Sequence, residues 1–207
     1  MKAIMKAGAM LLLVLAVILT VPGGGLSASG AATEVVRKML DSVISIQTDP
    51  ALQGEAARPT RRIEIRKVIL SNFNFDDMAQ QTLGAYWSGM AETKRAEFKS
   101  IFQDLFLDSY SRLVLDFVGK EKIAYLGEED GQGQTTVRTR IHRVSEAIPV
   151  DYYVDRAKDK LMVRDVSIDG VSIVQHYHRS FSRVIQKESY EGLLKRMKLQ
   201  QQATEKG

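Results

Sequence analysis

Four segments between residues 122 and 168 alternate apolar with polar side chains, and this alternation constrains the fold more than any other feature of the sequence. In the third segment, Val150, Tyr152 and Val154 share one side of an extended chain and polar residues occupy the other. A period of two predicts an antiparallel sheet with one face covered by other elements. The predicted strands span residues 122–127, 135–142, 148–155 and 161–168.

The alternation changes phase within the last predicted strand. Val163 keeps the phase of the residues before it, whereas Val166 begins the opposite phase. One extra residue in the strand would reconcile the two phases, so we predict a β-bulge near Arg164–Asp165. Asp169–Gly170 is then predicted to turn the chain into the next element.

Both flanks of the strand block show the spacing of amphipathic helices. The longest of these segments is rich in aromatic residues and places Phe98, Phe102 and Phe106 on one apolar face. The predicted helices span residues 33–46, 59–72, 75–83, 91–118, 172–187 and 190–200.

Local signals add detail to two of these helices. In the second helix we expect Ile63, Val68 and Ile69 to face inward. The side chain of Asn74 is placed to cap the third helix, because asparagine accepts a hydrogen bond from a free N–H of the first turn.

The order of helices, strands and helices predicts an α+β fold. We expect a twisted antiparallel sheet of about four strands, covered by helices from the N-terminal and C-terminal parts of the chain. A length of 207 residues favours one domain, which we assign to residues 31–207. Composition leaves open whether the surplus of apolar side chains fills a core or lines a cavity.

The N-terminal segment has the layout of a secretory signal peptide. Lys2 and Lys6 precede an uncharged apolar run over residues 7–21, and small residues follow. The run of roughly 15 residues is shorter than the roughly 20 that span a bilayer. We therefore expect cleavage of residues 1–30 and export to the periplasm. The sequence has no cysteine, so we expect no lipoprotein anchor.

The charge balance argues against nucleic-acid binding. The whole chain has a net charge of +4, and without Lys2 and Lys6 it keeps 27 basic against 25 acidic residues. The basic residues are scattered and form no stripe that could follow a phosphate backbone.

The sequence offers little for metal or cofactor chemistry. His176 and His178 are two residues apart on a predicted helix and do not face each other, and His142 is remote from both. The acidic run at residues 128–130 is interpreted as a solvated loop beside a hairpin turn. We expect no metal site and no cofactor.

An enzyme remains the alternative from a different functional class. A curved sheet covered by helices can form a cone-shaped pocket, in which Asp151 or Asp165 could be a buried base. No nucleophile elbow and no phosphate-binding loop occurs in the mature sequence, so we expect a protein without catalytic activity. A third alternative is an adaptor that contacts a transporter and carries nothing.

Two segments resemble a known family. They are residues 74–87 (NFDDMAQQTLGAYW), followed by KRAEF at 94–98, and residues 166–198 (VSIDGVSIVQHYHRSFSRVIQKESYEGLLKRMK). The most telling parts are the DGVS turn and the closing KESYEGLL. These segments resemble the MlaC family, also called the toluene-tolerance auxiliary proteins, and the likeness covers nearly all of the mature chain.

This resemblance implies a periplasmic phospholipid carrier with an apolar cavity for acyl tails. Such a carrier shuttles lipid between an outer-membrane lipoprotein complex and an inner-membrane ABC transporter with a lipid-transfer subunit. The process maintains the lipid asymmetry of the outer membrane. Some relatives are associated with hopanoid synthesis, so a carrier of hopanoid or of another lipid is the alternative within the family. We expect a monomer.

The candidate lipid-binding residues lie on the faces where the sheet and the long helix should oppose each other. They are Tyr86, Trp87, Phe102, Phe106, Tyr110, Val150, Tyr152, Val154, Val166, Val171, Val174 and Tyr177.

Overall fold

The computed structural model describes residues 30–205, apart from positions 118, 120, 132, 144, 145 and 158. Of the predicted signal peptide, residues 1–30, only Gly30 is among the described residues. Within the described part of the chain, no helix is long and apolar enough to cross a membrane.

The strands form one open antiparallel sheet in which neighbours along the chain are also neighbours in space. Helices precede and follow the strand block, so the predicted α+β class is confirmed. In order across the sheet, the strands are β1 (Lys122–Gly131), β2 (Gln134–His142), β3 (Ala147–Ala157), β4 (Lys160–Ile168) and β5 (Val171–Ser172).

The short strand β5 adds a fifth strand to the four that were predicted. The backbone reverses at the predicted turn, where Asp169 and Gly170 have φ angles of 50° and 77°. Val171 then pairs with Ile168. Two residues are too few to show alternation, which is why the sequence pattern did not reveal this strand.

The predicted bulge in β4 is confirmed. Tyr153 of β3 is paired with Asp165, and the next residue, Val154, is paired with Val163. Arg164 is therefore the extra residue that lets the apolar side chains of both halves of β4 face the same side of the sheet.

Residues 128–130 are exposed, as expected, but the interpretation of them as a loop is wrong because they belong to β1. A second bulge lies between Tyr125 and Gly127, whose φ is 119°. The bulge turns Glu128 toward the helices, because it is paired with the buried Val137. There the Oε2 atom of Glu128 accepts hydrogen bonds from both the backbone N–H and the hydroxyl of Thr33, each at 2.7 Å.

The helices follow the predicted order, with a one-turn helix added before the longest one. They are α1 (Ala31–Thr48), α2 (Arg58–Asn72), α3 (Phe75–Leu83), α4 (Ala85–Ser88), α5 (Glu92–Phe117), α6 (Ile173–Glu188) and α7 (Tyr190–Glu205). The predicted cap of α3 is confirmed, since Asn74 Oδ1 accepts a hydrogen bond from the N–H of Asp77 at 3.3 Å.

The predicted inward face of α2 is wrong at one position. Ile63 is 53% exposed, whereas Ile65 and Ile69 are buried. The reason lies in the arginines of the same helix. Arg62 and Arg66 both pair with Asp108 of α5, and this fixes the rotation of α2 so that Ile63 points outward.

The helices cover the sheet unevenly. α1, α3 and α6 pack directly on the strands, while α5 packs on α2, α3 and α7. The side chains of Phe98, Phe102 and Phe106 on α5 are buried in the core. Because α5 is held mainly by other helices, part of the space between it and the sheet is left open.

Candidate functional site

An apolar cavity of about 350 Å³ lies between the sheet, α1 and the C-terminal half of α5. This volume is near the lower end of the range of about 300 to 1,000 Å³ for ligand pockets. Its walls are formed by Met39, Leu40, Val43, Ile69, Phe73, Phe106, Tyr110, Leu113, Val114, Ile141, Arg143, Ile148, Val150, Tyr152, Val166, Ile168 and Ile173.

The sheet forms one wall because its strands alternate. Ile148, Val150 and Tyr152 of β3 point into the cavity at every second position. Val150 is paired with Ile168 and Tyr152 with Val166, so β4 continues the same apolar surface beyond its bulge.

The helices form the opposite wall. On α1 the cavity is lined by the apolar face around Leu40, and on α5 by residues spaced about one turn apart from Phe106 through Tyr110 to Val114. The rings of Phe106 and Tyr110 lie 4.2 Å apart between centroids. Phe73, at the C-terminal end of α2, closes the gap between the helices and β4.

The rim of the cavity lies where β2 ends and β3 begins. Leu113 is 39% exposed although it lines the cavity, which marks the opening to solvent on the helical side. At this end, the side-chain amide of Gln47 on α1 donates hydrogen bonds to the carbonyl groups of Val114 and Leu115 on α5, at 3.1 and 3.4 Å. The two helices are thus joined near the opening.

The interior of the cavity is electrically neutral at physiological pH. Burial raises the pKa of the Tyr110 and Tyr152 hydroxyls, so both stay protonated. Arg143, at the rim, is the one charged side chain among the described lining residues. An apolar space with neutral walls and a cationic rim suits an amphiphilic molecule that has a long hydrocarbon part.

Five of the twelve candidate residues from the sequence line this cavity. Their contact with a lipid stays a prediction. They are Phe106, Tyr110, Val150, Tyr152 and Val166.

The other seven candidates lie outside the cavity walls. Phe102, Val154 and Val174 are completely buried in the core. Tyr177 packs against Phe102 with ring centroids 5.4 Å apart, and Trp87 packs against Phe98 at 6.5 Å. Two are on the surface, since Tyr86 is 44% exposed and Val171 is 52% exposed.

The sequence reasoning missed most of the helical wall and the rim. Met39, Leu40 and Val43 lie on the apolar face of α1, and their helical spacing was the signal that could have found them. Ile148 belongs to the same alternating series as Val150, and that series was the signal that could have added it.

The carboxylates considered for an enzyme do not line the cavity. Asp165 accepts hydrogen bonds from the N–H groups of Val166 and Val174, at 2.8 and 3.0 Å, and from the hydroxyl of Ser172. Burial raises the pKa of its carboxyl. Asp151 follows Val150 directly on β3, and neighbouring side chains of a strand point to opposite faces, so Asp151 points away from the cavity. Asp165 therefore serves as an anchor for the start of α6.

One of the three histidines, His178, makes a structural contact between two helices. Nδ1 of His178 lies 3.2 Å from the carbonyl oxygen of Thr82, so this side chain joins α6 to α3. Among the described residues, no cluster of histidine and carboxylate side chains could hold a metal ion.

Comparison with known proteins identifies the family. The model of the MlaC protein family matches residues 37–199, most of the chain. The chain belongs to the MlaC protein family. The resemblance seen in the sequence is therefore confirmed. No curated protein sequence matches this MlaC-family chain.

A solved structure supports the same fold. The MlaC-family chain is similar to a phospholipid-binding protein from Ralstonia solanacearum, whose structure was determined in complex with a phospholipid. The TM-score is 0.72 at 21% sequence identity, and the match covers 86% of this chain and 99% of that one. At this identity the likeness establishes a shared fold.

Proposed function

We propose that this protein is a periplasmic phospholipid carrier that holds acyl tails in the cavity between the sheet and α5. It exchanges lipid with an outer-membrane lipoprotein complex and an inner-membrane ABC transporter, and so maintains outer-membrane asymmetry. The observation that supports this proposal most directly is the apolar cavity itself, whose lining residues are almost all hydrocarbon or aromatic. Membership of the MlaC family and the phospholipid-bound neighbour agree with it.

The physical task of such a carrier is to lower a solvation barrier. Two acyl tails contain roughly 30 methylene groups, and at about 0.8 kcal/mol for each group their transfer into water would cost on the order of 24 kcal/mol. A cavity walled by aliphatic and aromatic side chains offsets most of this cost. No covalent step is required, and neither Asp151 nor Asp165 lines the cavity.

Loading and release require the opening to widen. The helical wall is attached to the sheet at the end remote from the rim, where Glu128 binds the first turn of α1 through Thr33. At the rim, α1 and α5 are joined by the side chain of Gln47. An α1 that separates from α5 at Gln47 and stays anchored at Glu128 would admit a lipid tail from the membrane side.

Mass spectrometry of lipid extracted from natively purified protein tests the carrier function. We expect phospholipid in an amount close to that of the protein. Protein that purifies empty, and that takes up no phospholipid from vesicles after removal of any bound lipid, would contradict the proposal and favour an adaptor or an enzyme.

The route and the location need separate experiments. Loaded protein should deliver its lipid to vesicles that contain the reconstituted ABC transporter faster than to vesicles without it. Cell fractionation should recover the protein in the periplasm, with a mature N-terminus between about residues 28 and 32, where small residues follow the apolar run. A full-length protein that remains with the inner membrane would contradict cleavage.

A further inference from the structure

Arg143 occupies a special place in the cavity wall. It is the one charged residue among the described residues that line the cavity, and it follows directly after the last residue of β2. Its side chain is 25% exposed and lines the cavity, and arginine in such a place can extend the apolar wall with its aliphatic part and keep its guanidinium near water. A cation thus lies where hydrocarbon surface ends and water begins.

The ion pair between Arg143 and Glu146 is a weak one. The Nη1 atom of Arg143 lies 3.5 Å from Oε1 of Glu146, whose side chain is 55% exposed. The backbone N–H of Arg143 donates to the carbonyl of Glu146 at 2.8 Å, so the backbone holds this connection independently of the ion pair. Exposed ion pairs of this kind contribute at most about 1 kcal/mol. Another anion could therefore replace the Glu146 carboxylate without unfolding the turn.

The length of the cavity wall fits a lipid tail that extends inward from an anion bound at Arg143. From Ile148, next to Arg143, to Tyr152 at the inner end, the cavity wall extends for about 13 Å at roughly 3.3 Å per residue. One leaflet of the hydrocarbon core of a bilayer is about 15 Å thick. A lipid with its polar linkage at Arg143 would thus reach approximately to Tyr152 with its tail.

We propose that Arg143 binds the phosphate of the lipid headgroup, and that Glu146 takes the place of this phosphate when the cavity is empty. Guanidinium groups bind phosphate oxygens through two parallel hydrogen bonds, a geometry that lysine lacks. The proposal rests on the phospholipid-carrier function and deepens it, because it assigns the orientation of the lipid and the group that is recognised.

The test compares two lipids that differ only in the phosphate. Delipidated protein is incubated with phosphatidylethanolamine vesicles that contain phosphatidic acid and diacylglycerol with identical tails in equal amounts. Native mass spectrometry then gives the ratio of the two bound lipids, which does not depend on the folded fraction. Wild-type protein should favour phosphatidic acid.

Arg143→Gln should lower this ratio about ten- to a hundredfold, the usual contribution of a charge-assisted hydrogen bond. Arg143→Lys should retain only part of the preference. Glu146→Gln should raise the ratio, because it removes the competing carboxylate. Arg140→Gln is the matched control, since Arg140 lies on β2 three residues before Arg143, is exposed on the other face of the sheet, and its substitution changes the net charge equally.

The outcomes separate the inference from the function on which it rests. Wild-type protein that binds neither lipid refutes the carrier function itself. Wild-type protein that binds lipid, with a ratio unchanged in Arg143→Gln or lowered equally in Arg140→Gln, refutes the role of Arg143. Thermal melting of each variant verifies that it is folded.

Free phosphate is the other ligand with the same chemistry. Delipidated wild-type protein is melted in phosphate and in chloride of equal ionic strength. We expect equal melting temperatures, because the tails supply most of the binding energy. A phosphate-dependent rise that Arg143→Gln abolishes, without any change in the lipid ratio, would assign the site to free phosphate and overturn the proposal.

Discussion

The region between the sheet and the helices has two ends, one packed with side chains and one that contains the cavity. Strand β3 and helix α5 pass through both. The filled end is formed by Phe98, Phe102, Val154, Val163 and Phe181, which are all buried. The open end is formed by Tyr110, Leu113, Ile148, Val150 and Ile168, which line the cavity.

Helix α6 accounts for the difference between the two ends. In the filled end, Tyr177 and Phe181 of α6 contact Phe102, with ring centroids 5.4 and 6.3 Å apart. The open end lies at the N-terminus of α6, where Ile173 is the one residue of this helix among the described lining residues. The same aliphatic and aromatic residue types therefore form a core where a third element supplies rings, and a cavity where it does not.

The largest expected effect comes from a charge placed in the filled end. In Val154→Arg, a long charged side chain would replace a small apolar one that is completely buried. Burying an unpaired charge is among the most destabilising of single changes, so we expect a loss of more than about 4 kcal/mol. Circular dichroism during thermal melting should show no cooperative transition near that of wild type. A stable, lipid-loaded variant would show that the filled end is as open as the cavity.

The same substitution in the open end provides the matched comparison. Val150 lies four residues earlier on the same strand, and its side chain faces the cavity. In Val150→Arg, the long side chain can extend through the cavity toward the rim and keep its charge in water. We expect a folded protein that has lost about 1 to 3 kcal/mol of stability and most of its bound lipid. Melting temperature and lipid content are measured on one preparation.

If Val150→Arg unfolds as completely as Val154→Arg, the two ends do not differ in the way the structure indicates. If it folds and retains lipid, the cavity is not the binding site.

The sequence predicts the faces of the elements better than the depth of each side chain. The alternation in β3 identified Val150, Tyr152 and Val154 as facing the helices, and all three do so. It could not show that Val154 is completely buried, because the depth of a side chain depends on the elements that pack over its strand. The bulge at Arg164 was visible as a change of phase, whereas Glu128 was misread because the bulge before it changes the side it faces.

A smaller effect is expected at the joint between α1 and α5. Gln47→Ala removes the hydrogen bonds to Val114 and Leu115 at the rim. One hydrogen bond contributes about 1 kcal/mol, which corresponds to roughly a fivefold change in rate if it must break before the helices separate. We expect lipid release to acceptor vesicles to accelerate by about this factor, with little change in melting temperature. Fluorescent-lipid transfer measures the rate.

The control for Gln47→Ala is Gln53→Ala. Gln53 donates hydrogen bonds to the carbonyl groups of Gln47 and Asp49, and so has no part in joining α1 to α5. Equal acceleration in both variants would mean that general loosening of this region, and not the joint, controls release.

The smallest expected effect concerns the half-buried carboxyl of Asp165 at the start of α6. Burial raises the pKa of Asp165, so the folded protein favours its protonated form relative to the unfolded chain. The resulting stability is fully present below the ordinary pKa of 3.8 and is lost as the pH rises through the folded pKa. Asp165→Asn removes this titration. The substitution also changes the hydrogen bonds from Val174 and Ser172. The informative quantity is therefore how the difference in unfolding free energy between the two proteins depends on pH, and not its value at one pH.

Urea unfolding of wild type and Asp165→Asn from pH 4 to pH 7 measures this dependence. We expect the variant to gain stability relative to wild type as the pH rises, by a small amount, because burial penalises the charged form of Asp165 in the folded wild type. Asp151→Asn, on the outer face of the sheet, is the matched control. A relative gain that instead grew as the pH fell would mean that the hydrogen bonds to the Asp165 carboxylate outweigh the cost of its burial.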